Sequence, residues 1–206
     1  MRKIFFDITY FNYQIKDEIV PFYIGSQTYF ANANKTSRNG LELGFKSEPF
    51  EGIELTTNYI YTNFKYIDYK SISYDASGNQ IVNDYSNNTV PAVPHNIFNF
   101  ILNYEYELSS KFTGLLQFDC DYVTKMYPND ANSESTGAYF YANAMAGLNV
   151  SLKNFNIIGF VGTTNMFNRR YVGFINTNDF FKRYYESGEP RNIFGGLNIG
   201  YRFNSK

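Results

Sequence analysis

Between Asn192 and Phe203, apolar and polar positions alternate with a period of two. Ile193, Gly195, Leu197, Ile199, Tyr201 and Phe203 share one parity, and Asn192, Asn198, Gly200 and Arg202 fall on the other. That period assigns the two sets to opposite faces of a β-strand. Three earlier stretches repeat it more clearly. Phe98, Phe100, Leu102, Tyr104, Tyr106 and Leu108 oppose Asn99, Asn103, Glu105 and Glu107. Phe112, Leu116, Phe118, Cys120 and Tyr122 oppose Lys111, Thr113, Gln117, Asp119 and Asp121. Ala138, Phe140, Ala142, Ala144, Ala146, Leu148, Val150 and Leu152 oppose Tyr139, Tyr141, Asn143, Asn149 and Ser151. The pattern predicts eight strands, at 3–13, 39–47, 53–66, 97–108, 111–123, 138–152, 155–167 and 192–203, the first and seventh alternating weakly.

The links between these strands alternate in length. Those at 48–52, 109–110 and 153–154 are tight turns, whereas 14–38, 67–96, 124–137 and 168–191 are long. In an up-and-down antiparallel sheet, alternate links lie at opposite ends, so short turns gather at one end and long loops at the other. Together with one apolar face per strand, this predicts an all-β, antiparallel, up-and-down transmembrane β-barrel segment of eight strands. Its short turns would be periplasmic and its long loops extracellular.

Composition supports that reading. The 206 residues include 20 Tyr and 21 Phe but no Trp, and no apolar run approaches the roughly 18 residues of a membrane helix. Aromatics suit both strands and the headgroup level. A net charge of -1 gives no basic excess for nucleic-acid binding. The lone Cys120 lies on the apolar parity and reads as packing.

No catalytic constellation emerges. The single histidine, His95, follows a proline at a strand edge and reads as structural; with one distant Cys it cannot supply a zinc site. Gly195-Gly196 sits within a strand rather than in a phosphate loop, and Asn87-Asn88-Thr89 is a chance match to a glycosylation pattern. Glu105, Glu107, Asp119 and Asp121 read as lining a wet interior at different heights, with Glu107 near one rim and Asp121 near the other. No cofactor or metal is expected. Met1-Arg2-Lys3 opens a short apolar run that Asp7 interrupts, so it does not read as a signal peptide.

Several ordered segments resemble the TonB-dependent outer-membrane receptors of the siderophore-receptor type. Asn165-Met166-Phe167-Asn168-Arg169-Arg170-Tyr171-Val172 is similar to their penultimate-strand element, and Glu189-Pro190-Arg191-Asn192 to the entry into their final strand. Upstream, Lys16-Asp17-Glu18-Ile19-Val20, Asn39-Gly40-Leu41-Glu42-Leu43 and Val93-Pro94-His95-Asn96 resemble further landmarks. Residues 1–206 would then be the C-terminal barrel segment, the last eight of twenty-two strands, without a signal peptide, plug domain or TonB-coupling box. The family commonly ends on an aromatic residue, whereas Asn204, Ser205 and Lys206 follow Phe203 here.

The resemblance implies TonB-dependent uptake of a ferric siderophore or similar iron chelate, with outer-membrane lipid, the barrel-assembly machinery and TonB, acting through the missing plug, as partners. The fragment alone is not expected to transport. Arg183, Tyr185, Glu186 and Arg191 in the last long loop are the candidate ligand contacts, Tyr185 and Arg191 suiting an anionic, aromatic-rich cargo. Oligosaccharide uptake and a self-contained eight-stranded structural or adhesion barrel are the alternatives. A lipid-modifying enzyme is disfavoured by the single histidine.

Overall fold

The computed structural model describes residues 3–24, 27–74 and 77–203. The Met1-Arg2 start and the Asn204-Ser205-Lys206 tail lie outside the described residues. Among the described residues twelve strands follow in chain order. They are β1 (Lys3–Ile24), β2 (Gln27–Phe50), β3 (Ile53–Asp68), β4 (Lys70–Tyr74), β5 (Gln80–Asp84), β6 (Asn96–Ser109), β7 (Phe112–Val123), β8 (Tyr139–Ser151), β9 (Phe155–Thr164), β10 (Val172–Ile175), β11 (Tyr185–Ser187) and β12 (Asn192–Tyr201).

Eight of them form one antiparallel sheet in the order β1-β2-β3-β6-β7-β8-β9-β12, the predicted up-and-down meander. The pairs β4-β5 and β10-β11 are small ribbons inside two of the long connections. Among the described residues no pairing joins β1 to β12, so the sheet stays open at both edges.

Register carries the alternation across strands. One row runs Ile8, Leu43, Tyr59, Phe98, Tyr122 and Phe140. A second, nearer the short turns, runs Ile53, Tyr104, Leu116, Ala146, Val161 and Gly195. No layer packs on this face: Leu197 is 67% exposed and Ile193 73%. The opposite face carries polar ladders. Asn58 donates to Asn99 (3.2 Å), Asn99 to Asp121 (3.0 Å) and Asn143 to Asp119 (2.6 Å). Glu107 pairs with Thr113 beside a short turn, while Asp121 pairs with Asn99 at the other end, the predicted difference in height.

The weak alternation of the first and seventh strands has a physical cause. Phe11 on β1 and Phe160 on β9 point to the polar face, where each ring covers a cross-strand glycine, Gly40 and Gly196 respectively. Phe194 covers Gly162 in the same way, so two adjacent strands exchange reciprocal ring-over-glycine contacts. A ring covering an otherwise bare backbone stabilises a glycine-bearing strand pair.

One expectation is corrected. The predicted loop 14–38 is largely a continuation of β1 and β2, which stay paired to Ile24 and Gln27. Pairing of β2 with β3 starts at Lys35 and Asp68, so the outer part of the hairpin is a two-stranded ribbon. Such a ribbon is marginal alone, and its base is supported by Val20 and Ala33 packed with Tyr66 and Tyr69. Alternating apolar and polar residues are sparse between Tyr23 and Lys35, so this ribbon carries little strand signal of its own. Asp17, at φ 55, interrupts its regular extended backbone.

Candidate functional site

The end of the sheet that carries the long connections is tied together by asparagines. At the end of β9, Asn165 is buried and adopts φ 45, a conformation that asparagine tolerates better than most residues. Its side-chain amide donates to the backbone carbonyls of Arg169 (2.8 Å) and Glu189 (2.9 Å), and its Oδ1 accepts from the Arg169 N–H (2.8 Å). Its own N–H donates to Asn143 Oδ1 (2.9 Å), which links this turn to β8. Asn168 Oδ1 then accepts from the Arg191 N–H (3.1 Å). Both ends of the final connection are therefore clamped at one point, which explains why the Asn165-Met166-Phe167-Asn168 element carries two asparagines.

A second junction lies above β3. Asp130, in the connection between β7 and β8, is buried and accepts from the Tyr66 hydroxyl (2.7 Å) and the Asn178 amide (3.0 Å), and it is also bonded to Tyr69. Asn178 Oδ1 accepts from the Asp130 N–H (2.9 Å), and the Asn178 amide reaches the Pro21 carbonyl (3.2 Å). The Asp130 carbonyl accepts from Asn88 (2.7 Å). The Asp130 carboxylate thus joins its own connection to Tyr66 and Tyr69 at the end of β3 and to Asn178 in the last connection, and Asn178 brings in Pro21 of the β1-β2 hairpin. Burial pushes its pKa upward, opposed by the hydrogen bonds from Tyr66, Asn178 and Tyr69.

Beneath the β10-β11 ribbon, the polar face opens into a cavity of about 540 Å³. Tyr139 and Tyr141 on β8 and Tyr171 in the last connection form one wall. Tyr141 and Tyr171 are stacked at 5.2 Å and 9°, and Tyr139 lies 4.8 Å from Tyr171. Glu186 and Glu189 also line it. Glu186 accepts from the Asn176 amide (2.9 Å) and remains exposed.

Of the four candidate contacts, only Glu186 lines this cavity. Arg183 sits on a turn organised by Asp179, 3.7 Å from its carboxylate and 5.0 Å over the Phe181 ring. Tyr185 is half-exposed against Tyr184 (5.9 Å), and Arg191 follows Pro190 at the foot of β12 with an exposed side chain. The structure does not gather these four into one site.

Sequence reasoning placed Tyr139 and Tyr141 on the polar parity without assigning them a role. Tyr171 stands in the 165–172 element without a role of its own there, and Asn178 and Asp130, whose partners are far away in the chain, carry no local signal.

His95 serves the fold: its Nδ1 lies 2.8 Å from the Thr62 carbonyl, and its own carbonyl accepts from the Thr62 N–H (2.9 Å). Cys120 is buried on the apolar face opposite Ala142. Among the described residues no group of three or more His, Cys, Asp or Glu is placed to hold a metal ion.

Residues 2–165 match the family described as TonB dependent receptor-like, beta-barrel. The chain belongs to that family. Solved structures of such receptors share its fold. The ferric preacinetobactin receptor BauA of Acinetobacter baumannii aligns over 96% of this chain and 27% of its own, with a TM-score of 0.70 and 17% identity. The ferric yersiniabactin uptake receptor FyuA of Yersinia pestis aligns over 98% and 28%, with a TM-score of 0.68 and 19% identity. The siderophore receptor PiuA of Acinetobacter baumannii aligns over 95% and 26%, with a TM-score of 0.66 and 21% identity. This TonB-dependent receptor chain spans about a quarter of the length of each of them.

Proposed function

We propose that this chain forms the last eight strands of a larger bacterial outer-membrane barrel that imports a ferric siderophore or similar iron chelate with energy from TonB. The observation that carries the proposal is the alignment of nearly the whole chain with about a quarter of several siderophore receptors. The edges of β1 and β12, which do not pair with each other among the described residues, support it further, because a self-contained eight-stranded barrel would pair them. The uncovered apolar face fits outer-membrane lipid, and the polar face fits a wet lumen. In this reading a plug domain elsewhere in the protein contacts TonB, the barrel-assembly machinery inserts the strands, and the eight strands alone do not transport.

The test is iron-limited growth of a strain lacking the gene, with and without added chelates. Loss of growth on one chelate, restored by the full gene, is the expected result. Normal iron uptake beside a specific oligosaccharide-uptake defect would replace the iron reading with the glycan one.

A further inference from the structure

The cavity beneath the β10-β11 ribbon has a composition that bears on the charge of the cargo. Three tyrosine rings form a continuous patch, with Tyr139 and Tyr141 6.3 Å apart and Tyr171 against both. The Tyr141 hydroxyl is bonded to the Asp121 carboxylate, its cross-strand partner, so electron density on that ring is increased. Glu186 and Glu189 add two carboxylates, and no Lys, Arg or His is among the residues that line the space. Arg169 and Arg170, which precede Tyr171, and Arg183 and Arg191, which flank the two carboxylates in sequence, are exposed and do not line it; Arg183 lies instead against the Asp179 carboxylate.

Aromatic faces attract cations through their quadrupole, and tyrosine is among the better donors of that field. Carboxylates that a ligand covers lose hydration, and a cation on that ligand offsets the loss, whereas an anion adds repulsion. A cargo captured by Arg183 and Arg191 would be anionic; a group seated in this cavity would not be. At about 540 Å³ the space is large enough for a ligand side arm or a small ligand.

We infer that the Tyr139, Tyr141, Tyr171, Glu186 and Glu189 cavity is a subsite for a cationic group of the cargo, such as a primary ammonium. The inference deepens the proposed function and, for an iron cargo, rests on it. The expected chelate is an amine-bearing one rather than a polyanionic tris-catecholate. Glu186, already oriented by Asn176, meets the charge directly; the tyrosine rings cover the adjoining carbon atoms.

The experiment measures calorimetric binding to the full gene product in detergent, with three iron(III) chelates. These are a linear trihydroxamate with a free ammonium, the same chelate N-acetylated, and a tris-catecholate. The free ammonium should bind about tenfold more tightly than its acetylated form. Glu186→Gln and Tyr171→Ala should each reduce that ratio toward one, while Lys153→Gln, in a short turn at the other end of the sheet, should leave it unchanged. Equal binding of the free and acetylated chelates, or a preference that survives both cavity substitutions, overturns the inference and leaves iron uptake standing. If no chelate binds, the iron reading fails instead. The same contrast between glucosamine oligomers and their N-acetylated forms then decides the subsite: a preference for the free amines that Glu186→Gln abolishes supports it, and none overturns it.

Discussion

Leu197 and Asn198 are neighbours on β12 whose side chains meet different surroundings. Leu197 is on the uncovered apolar face, paired with Gly159, and Asn198 is on the polar face, paired with Ile158. Leu197→Arg should cost about 2 to 4 kcal/mol if this position lies near the bilayer midplane, and Asn198→Arg far less. Heat-modifiable migration of the outer-membrane fraction reads the difference; equal assembly of both variants would mean that the alternation does not separate a lipid face from a wet one. Asn165 is a different kind of residue. Asn165→Asp keeps the acceptor for the Arg169 N–H but removes the two N–H groups that bind the Arg169 and Glu189 carbonyls. Their loss should destabilise the final connection by about 1 to 3 kcal/mol. Limited proteolysis between residues 169 and 189 should accelerate while the strands remain assembled.

At the scale of elements, the long connections behave as one unit because the Asp130 side chain bonds Tyr66, Tyr69 and Asn178, its carbonyl accepts from Asn88, and Asn178 reaches Pro21. Its pKa is raised by burial above the unfolded value of about 3.9. The folded form therefore holds this proton more tightly than the unfolded chain. Its contribution to stability is complete in acid below the unfolded value and is lost as pH rises through the folded value. Amide exchange in the connection between β7 and β8, corrected for intrinsic rates, should show protection falling across that window. Asp130→Asn should remove this component of the pH dependence, and an unchanged profile in the variant would assign it to another group. Asp130→Ala should loosen the connections that the carboxylate joins by leaving the Tyr66 and Tyr69 hydroxyls and the Asn178 amide without this partner.

At the scale of the whole molecule, the paired Ile24 and Gln27 ends of β1 and β2 and the long connections occupy one end of the sheet and the turns after β2, β6 and β8 the other. Ser133 and Ser187 belong to the first end and Ser109 to the second, and all three are exposed. An impermeant thiol reagent applied to intact cells should label Ser133→Cys and Ser187→Cys and leave Ser109→Cys unlabelled. The native Cys120 is buried on the apolar face and contributes little background from this chain. Labelling confined to Ser109→Cys would invert the orientation.

The eight strands of the main sheet, their order and its division into apolar and polar faces were legible in the sequence, whereas the β4-β5 and β10-β11 ribbons lie in stretches that read as loops. A period of two is a local property, and each strand of a sheet with one uncovered apolar face must repeat it. The same code failed locally at Phe11, Phe160 and Phe194, because the partner that makes an aromatic residue stable on the polar face is a glycine on the adjacent strand. The 14–38 ribbon was missed because its support comes from Tyr66 and Tyr69, and Arg183, Tyr185, Glu186 and Arg191 were grouped because they are close in sequence. Tertiary structure alone brought Tyr171 beside Tyr139 and Tyr141, and Asn178 beside Asp130. Loop residues meet partners chosen by chain path and register, and no local periodicity encodes those distances.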